Sequence, residues 1–453
     1  MEINTAIVAG TGKSGISATK LLVNHGVKVY LFDENKDRDI ETIKEKTGDS
    51  ELVQIELGEL GEDALSSSQL MVISPGIPVD APFTDVVRNA GIPIWSEIEL
   101  AYHYGKGKIA AITGTNGKTT TTALVGEIVK AHNAKTIVVG NIGIPYTELC
   151  DTTDDDSDTV AEISSFQLET VIDFHPNVSA ILNLTPDHLN RHYTFENYGN
   201  VKFSITKNQT MDDVTVLNYD DEHTRAMGEK AKDHCHVVYF SRLEKPAGGV
   251  YVEDGDIILE DGDKKINVLA IKDLKLMGAH NVENVLAAVG ISYYMGVPVD
   301  VIRDVATSFK AVAHRIEYVD TIDGVAYYND SKGTNPDAAI KGIQAMVAPT
   351  FLIGGGYDKG SEYDEWIEAF DGKVKWLVLI GQTAQKIADC AKRHGFNSII
   401  FEENLQDAVA YCHENAVDGD AVLLSPACAS WGQFDNYEQR GDMFKEYVRS
   451  YKE

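Results

Sequence analysis

The run Ile109-Ala-Ala-Ile-Thr-Gly114-Thr115-Asn116-Gly117-Lys118-Thr119-Thr120-Thr121-Thr122 leaves this chain few folds to choose from. A short apolar strand ends in a Gly-rich turn, and Gly-Lys-Thr-Thr opens a helical pattern. Backbone N–H groups and the N-terminus of a helix then converge where a polyphosphate can sit. Lys118 reaches the terminal phosphates and Thr119 offers a hydroxyl to Mg²⁺, so residues 114–120 are expected to cradle a polyphosphate. The commoner Gly-x-x-x-x-Gly-Lys spacing needs Gly at 112. Ile112 stands there, which makes this a shortened Gly-x-x-Gly-Lys-Thr-Thr loop.

A length of 453 residues predicts about three domains, and 43% hydrophobic residues suffices for packed cores. Forty basic against seventy acidic residues gives a net charge of −30, which argues against nucleic-acid partners and anionic membrane surfaces. Anionic ligands must then be held by local cations and helix ends. Met1-Glu-Ile-Asn has no basic leader, and no apolar run is long enough to cross a membrane. Cys150, Cys235, Cys390, Cys412 and Cys428 are odd in number and scattered, so neither disulfides nor a zinc site are expected, and a reducing cytoplasm is.

Three α/β units are expected, at 1–98, 99–311 and 312–453. In the first, strand 3–9, the loop Gly10-Thr-Gly12-Lys13-Ser14-Gly15, a helix to about 25 and a strand 27–32 ending at Asp33 make a βαβ unit. Its N–H groups suit a diphosphate, whether of a dinucleotide or of another ligand. Strand 70–73 runs into the tight turn Ser74-Pro75-Gly76. In the second unit, strand 136–139 precedes Gly140-Asn141-Ile142-Gly143, and the acidic run 154–158 reads as a solvated turn. Glu162 closes a strand, and strand 178–184 leads to Asp187-His188, which places two metal-capable side chains beside the phosphate loop. Lys202 reads as an ordinary helix lysine with its ammonium in water. In the third unit, strand 325–328 runs into Asp330-Ser331-Lys332, followed by strand-and-turn units at 351–359, 376–381 and 420–426. Alternating strands and helices predict a mostly parallel sheet covered on both faces.

With the phosphate loop, Gly-Asn-Ile-Gly, Glu-Ile-Ser-Ser-Phe-Gln-Leu, Asp-His, Gly-Ala-His-Asn-Val-Glu-Asn, His-Arg and Asp-Ser-Lys-Gly-Thr-Asn in this order, the chain resembles the Mur ligase family of cell-wall peptide ligases. The run Leu424-Ser-Pro-Ala-Cys-Ala-Ser430 to Arg440-Gly441 resembles the D-glutamate-adding members, and the Asp-Asn-Pro-Arg signature of the diaminopimelate- and lysine-adding members is absent from the sequence. The resemblance implies an α/β fold of three domains: N-terminal Rossmann-like, central P-loop ATPase-like with a parallel sheet, and C-terminal Rossmann-like. It implies a monomeric cytoplasmic enzyme of peptidoglycan synthesis. In that reaction ATP phosphorylates the carboxylate of UDP-N-acetylmuramoyl-L-alanine, and the D-glutamate amine displaces phosphate.

Residue by residue, the resemblance makes Lys118, Glu162, His188, Lys202 and Lys332 catalytic. Thr119, Glu162, His188 and Lys202 would hold two Mg²⁺ ions, with Lys202 carbamylated to an oxygen ligand. Residues 114–120 would bind ATP, joined by Asn281 on the adenine side and by Arg315 and Asp330 toward the triphosphate and ribose. Gly12, Ser14, Asp33, Ser74, Pro75, Gly76, Asn141 and Ser164 would receive the UDP substrate. Lys13 and Glu34 depart from the apolar and hydroxyl residues usual at those positions. Thr334, Lys359, Ser430 and the Tyr437 backbone would receive D-glutamate, with Lys359 a natural partner for a carboxylate. Three rival readings are a nicotinamide-dependent oxidoreductase resting on Gly10–Gly15 and Asp33, an ATP-driven switch, and a folate glutamylating ligase. The first leaves the second phosphate loop unexplained, and the last leaves the first domain unexplained. Cys428 reads as a small buried filler rather than a nucleophile.

Overall fold

Three sheets follow one another along the chain. The computed structural model describes residues 3–141, 143–276, 278–310 and 313–452, apart from the side chains of Asn190 and Asp337. The first sheet comprises β1 (Thr5–Ala9), β2 (Lys28–Asp33), β3 (Val53–Leu57), β4 (Leu70–Ile73) and β5 (Ile94–Ser96), ordered β3-β2-β1-β4-β5 and parallel throughout. β1, β2 and β4 are apolar runs because both faces of the sheet are covered there. Ala6 and Val8 pack into one core while Ile7 and Ala9 pack into another, the period of two expected of a pleated strand. Helix α1 (Lys13–Asn24) follows β1, and α2 (Glu97–Tyr104) leads from β5 toward the second sheet.

The second sheet has nine strands: β6 (Lys108–Thr113), β7 (Thr136–Gly140), β8 (Asp158–Glu162), β9 (Val178–Ile181), β10 (Val214–Asn218), β11 (His236–Ser241), β12 (Gly249–Glu253), β13 (Asp256–Asp261) and β14 (Lys264–Ala270). The order is β14-β13-β12-β11-β10-β9-β6-β8-β7. Strands β6 to β12 are parallel, whereas β12, β13 and β14 form an antiparallel meander that the sequence reading omitted. Its signal was present: Asp254-Gly255 joins β12 to β13 with both residues at positive φ, the backbone a two-residue hairpin turn demands. Among the helices of this part are α3 (Lys118–His132), α4 (Tyr146–Leu149), α5 (Ser165–Leu168), α6 (Leu189–His192), α7 (Phe195–Phe203) and α8 (Ala279–Tyr294).

The third sheet is β15 (Glu317–Ile322), β16 (Val325–Asn329), β17 (Thr350–Gly354), β18 (Val374–Leu379), β19 (Ile399–Phe401) and β20 (Ala421–Leu424). The order is β15-β16-β20-β17-β18-β19, and only β15 runs antiparallel to its neighbour. Leu352 faces one core, and Phe351 and Ile353 face the other. Helices α9 (Pro336–Ala345) and α10 (Tyr437–Ser450) are capped by Asn335 and Asn436, whose side chains accept from N–H groups in the first turn.

By contacts the chain divides into two units, residues 1–273 with 283–308, and 274–282 with 309–453. The expected boundary at 311/312 lies outside the described residues. Strand 3–9 begins at Thr5 and strand 178–184 stops at Ile181, so Leu182 to His188 is free to wrap the phosphate loop. Asp158, expected in a solvated turn, opens β8 and accepts from Asn133 at 2.8 Å. The five cysteines are buried and unbridged, and no described helix is long and apolar enough to cross a membrane.

Candidate active site

Strand β6 lies between β8 and β9, with Ile112 opposite Glu162 and Thr113 opposite Ile181. This register delivers the Gly loop, Glu162 and the segment after β9 to one edge, where open α/β sheets place their ligands. Asn183 frames the loop: its backbone oxygen accepts from Thr115 N–H at 3.0 Å, its Oδ1 accepts from Asn116 N–H at 2.8 Å, and its Nδ2 donates to Asn116 O at 3.0 Å. The Thr115 hydroxyl meets Tyr198 Oη at 3.0 Å. Gly117, at φ +83, caps α3, and a Cβ there would lie 2.2 Å from Asn284 Oδ1. Both the left-handed backbone and the close approach therefore require glycine. Thr119 and Thr120 are buried at the helix start, and the Thr120 hydroxyl has no hydrogen-bond partner.

Two lysines converge on this loop. Lys118 Nζ donates to the carbonyls of Gly114 and Thr115, each at 2.8 Å, and Lys202 Nζ donates to Gly114 O at 2.8 Å and Thr113 Oγ1 at 3.3 Å. Lys202 is 1% exposed, contrary to the expectation of a solvated helix lysine, because α7 turns it inward over the Tyr198 ring. Burial, with the Lys118 charge nearby, holds its pKa well below the ordinary lysine value. Glu162 and Asp187 oppose that shift and lie in the same cluster.

Glu162 is buried, with Oε1 accepting from Asn141 Nδ2 at 2.9 Å and Oε2 buried without a hydrogen-bond partner. Glu162 offers an orphaned carboxylate oxygen and Thr119 a hydroxyl at the start of the phosphate-loop helix, oxygen donors of the kind a hard divalent cation takes, so Mg²⁺ fits this donor set. His188 sits at φ +52, half-exposed, 3.4 Å from the Asp187 carboxylate and against the Phe166 ring at 4.8 Å.

In the first sheet, the loop after β1 and the turn after β4 are neighbours, with Ser74 N–H donating to Ala9 O at 3.0 Å. A Cβ on Gly15 would lie 1.8 Å from Gly10 O, whereas one on Gly12 would meet nothing within 4 Å. Gly12 therefore has open space as the N-cap of α1, with Ser14 in the helix's first turn. Asp33 is engaged within its own domain: it accepts from Thr11 Oγ1 at 2.6 Å and from Thr11 N–H at 3.1 Å. Burial pushes its pKa up, but the Thr11 and Asn35 hydrogen bonds prevail and hold it below the usual carboxylate value. Pro75 and Gly76 form the turn, and Ser164 caps α5 in a reciprocal box with Gln167.

Lys332, Thr334, Lys359 and Ser430 lie on segments after β16, β17 and β20, and Tyr437 opens α10. The Lys332 ammonium lies 5.4 Å from the centre of the Tyr437 ring, and Ser430 is buried. Arg440 was quoted in the sequence but given no role. It is 1% exposed and donates to Ser331 Oγ at 2.9 Å, Ser331 O at 2.7 Å and Cys428 O at 3.2 Å, while Ser331 Oγ donates to Tyr437 O at 2.8 Å. One guanidinium thus knots these loops together. The Cys428 thiol is buried as expected, 3.2 Å from both Tyr363 Oη and Thr383 Oγ1. Asp330 is buried, and burial, offset by Arg315 and Ser425, pushes its pKa up to about 6. Asn281 is buried, and the Arg315 Nε atom is buried without a partner.

Besides Arg440 and Asn183, the sequence reading missed Glu97. Buried at the start of α2, it accepts from Thr147 N–H at 2.6 Å and Thr147 Oγ1 at 2.8 Å, and Thr147 Oγ1 lies 2.9 Å from Ser17 Oγ. That chain of contacts joins α1 to α4. The motif signal was a lone Ser96-Glu97 pair at a strand-to-helix junction, which does not name its distant partners.

Three family models match in chain order: the Mur ligase MurD-like N-terminal domain over residues 4–96, the Mur ligase middle domain over 112–292, and the Mur ligase glutamate ligase domain over 314–428. A UDP-N-acetylmuramoylalanine--D-glutamate ligase from Lachnospira eligens is 56% identical over 450 residues, covering 99% of both chains. One from Lachnoclostridium phytofermentans is 51% identical over 447 residues, covering 99% of this chain and 98% of its own. Among solved structures, UDP-N-acetylmuramate-alanine ligase MurC from Thermotoga maritima is similar in fold, with a TM-score of 0.61 at 19% identity over 99% of this chain and 100% of that one. MurF ligase from Thermotoga maritima in complex with ADP gives 0.59 at 16% identity over 98% of this chain and 95% of that one. With such identity along its whole length and the phosphate loop, carboxylate and lysines at one sheet edge, the chain belongs to the Mur ligase family.

Proposed function

We propose that this protein is the ATP-dependent ligase that adds D-glutamate to UDP-N-acetylmuramoyl-L-alanine, a cytoplasmic step of peptidoglycan synthesis. The observation that carries the reading is the 56% identity over 99% of the chain to a relative bearing that activity in its name. Residues 1–98 hold the uridine nucleotide, 99–311 bind ATP, and 312–453 bind the amino acid. The enzyme works as a monomer.

ATP phosphorylates the alanyl carboxylate, the D-glutamate amine attacks the acyl phosphate, and phosphate leaves. Such a transfer needs positioning and charge neutralisation more than covalent help from the protein. Residues 114–120 cradle the triphosphate, with Asn281, Arg315 and Asp330 on the adenosine side. Lys118 and Lys332 stabilise transferring charge. Mg²⁺, two ions in this reading, supplies charge neutralisation, with Thr119, Glu162, His188 and a carbamylated Lys202 as the residues that hold it. The carbamate reading is supported by burial: a lysine kept neutral is nucleophilic toward CO₂, and the anion formed would sit beside the Lys118 ammonium. Gly12, Ser14, Asp33, Ser74, Pro75, Gly76, Asn141 and Ser164 receive the acceptor. Thr334, Lys359, Ser430 and the Tyr437 backbone receive the D-glutamate carboxylates.

Phosphate release measured across D-Glu, L-Glu, L-Ala and L-Lys, with and without UDP-N-acetylmuramoyl-L-alanine, tests this. Release that requires both the acceptor and D-Glu is expected. Release with another amino acid in place of D-Glu overturns the assignment.

A further inference from the structure

On one side of α6 lies His188, and three residues further on Arg191 reaches back into the first sheet's turn. Its Nη1 donates to Pro75 O at 2.8 Å and its Nη2 to Ile77 O at 2.9 Å, while Nε donates to Glu169 Oε1 at 3.1 Å and Nη2 also pairs with Glu169 Oε2. The side chain is 10% exposed and that of Glu169 7%, so the pair is desolvated. The guanidinium also stacks 4.2 Å over the Phe166 ring, whose centre is 4.8 Å from that of His188. One planar group therefore touches the 74–77 turn and the aromatic support of His188 at once.

We propose that Arg191 is a positioning residue that fixes the distance between the 74–77 turn and the His188 segment, so that an acceptor grasped by its nucleotide presents its carboxylate at the phosphate loop. The inference rests on the reading above in which that turn holds the nucleotide. Carbonyl acceptors 75 and 77 lie on a turn closed by Ile77 N–H donating to Ser74 O at 3.0 Å, so holding them sets the turn as a unit. His188 carries a left-handed backbone as the N-cap of α6. The far end of α6 is pinned by His192 Nε2 at 3.0 Å from Ser165 Oγ. With the helix held at His192 and the guanidinium stacked on the Phe166 ring that also lies against His188, movement of the turn is transmitted to His188. Only a fork of several N–H donors can serve two carbonyls and a carboxylate together, and a lysine is a single point charge.

The test is Arg191→Lys, which keeps a cation beside buried Glu169 but removes the fork. In the full chain, the acceptor KM is expected to rise about 10-fold or more and kcat to fall, while the ATP KM stays within about twofold, since only acceptor placement is lost. Calorimetry with UDP alone is expected to show weaker binding by Arg191→Lys. Should that variant fail to fold, Arg191→Gln with Glu169→Gln removes the pair without stranding a charge, and the same KM split is expected. A lowered melting temperature with unchanged acceptor KM and UDP affinity overturns the proposal. An unmodified enzyme that ignores UDP-N-acetylmuramoyl-L-alanine marks failure of the functional reading instead, and equal UDP affinity of wild type and Arg191→Lys then overturns this inference on its own.

Discussion

Lys118 and Lys202 share one acceptor: the Nζ atoms of both donate to the carbonyl oxygen of Gly114, each at 2.8 Å. The Lys118 charge next to it helps hold Lys202 in the neutral form, so the two lysines carry different tasks.

Lys118 is the partly exposed member, to which the proposed reading gives neutralisation of charge on the transferring phosphoryl group. Lys118→Ala is expected to lose ATP turnover by at least about 100-fold, in line with removal of a preorganised charge from a transition state, with an unchanged circular dichroism spectrum. Near-normal phosphate release by the folded variant would contradict the assignment.

Lys202 is the buried member, and its expected modification is a carbamate. Lys202→Ala should lose activity that short carboxylic acids partly restore, because an added carboxylate can stand in for the missing anion. Bicarbonate dependence of wild-type turnover and density for the modified side chain are the direct checks. Full activity with a bare lysine in the crystal would sink the idea.

The first-domain loop separates space for a ligand from space needed by the chain. Gly15→Ala drives a Cβ to 1.8 Å from Gly10 O and is expected to destabilise the first domain, whereas Gly12→Leu, with open space around its Cβ, should fold normally and lose UDP binding. Calorimetry with UDP and with NADH decides. Tight NADH binding that UDP does not displace would restore the oxidoreductase reading.

Asp330 gives a pH test. Its folded pKa is raised to about 6, above the unfolded value of about 3.9, so it stabilises the fold fully below that unfolded value and the contribution is lost as pH rises through 6. At pH 7 the penalty for ionising it is on the order of 3 kcal/mol by the same linkage. Asp330→Asn should therefore gain melting temperature relative to wild type at pH 7.5 and lose that advantage at pH 5. Parallel melting curves at both pH values would show that Asp330 does not titrate in this window.

In the proposed reading, amino-acid choice falls to residues beside the third sheet. A charge-assisted contact to a carboxylate is worth about 1.5–3 kcal/mol, so Lys359→Ala should raise the D-glutamate KM about 10-fold or more while sparing ATP and the acceptor. An unchanged D-glutamate KM, or better use of L-lysine by the unmodified enzyme, would show that Lys359 has been misassigned.

The phosphate loop was legible because its glycines, Lys118 and Thr119 are contiguous and act through local backbone geometry. Lys202 was misread because helix periodicity does not reveal which face meets Gly114, 88 positions away. Arg191, Glu97 and Arg440 were passed over for the same reason: each is a buried polar hub whose partners come from distant segments. The antiparallel meander was missed although Asp254-Gly255 marked its first turn.

The pairing of Ile112 with Glu162 also limits how this chain can change length. A single-residue deletion within β8 would turn the Glu162 side chain to the opposite face of the sheet, since successive residues alternate. The exposed turn at 154–156, before the strand, can absorb an insertion without moving that carboxylate. Descent with insertions and deletions is thus channelled into the turns, and the strands behave as rulers whose odd and even marks cannot be exchanged.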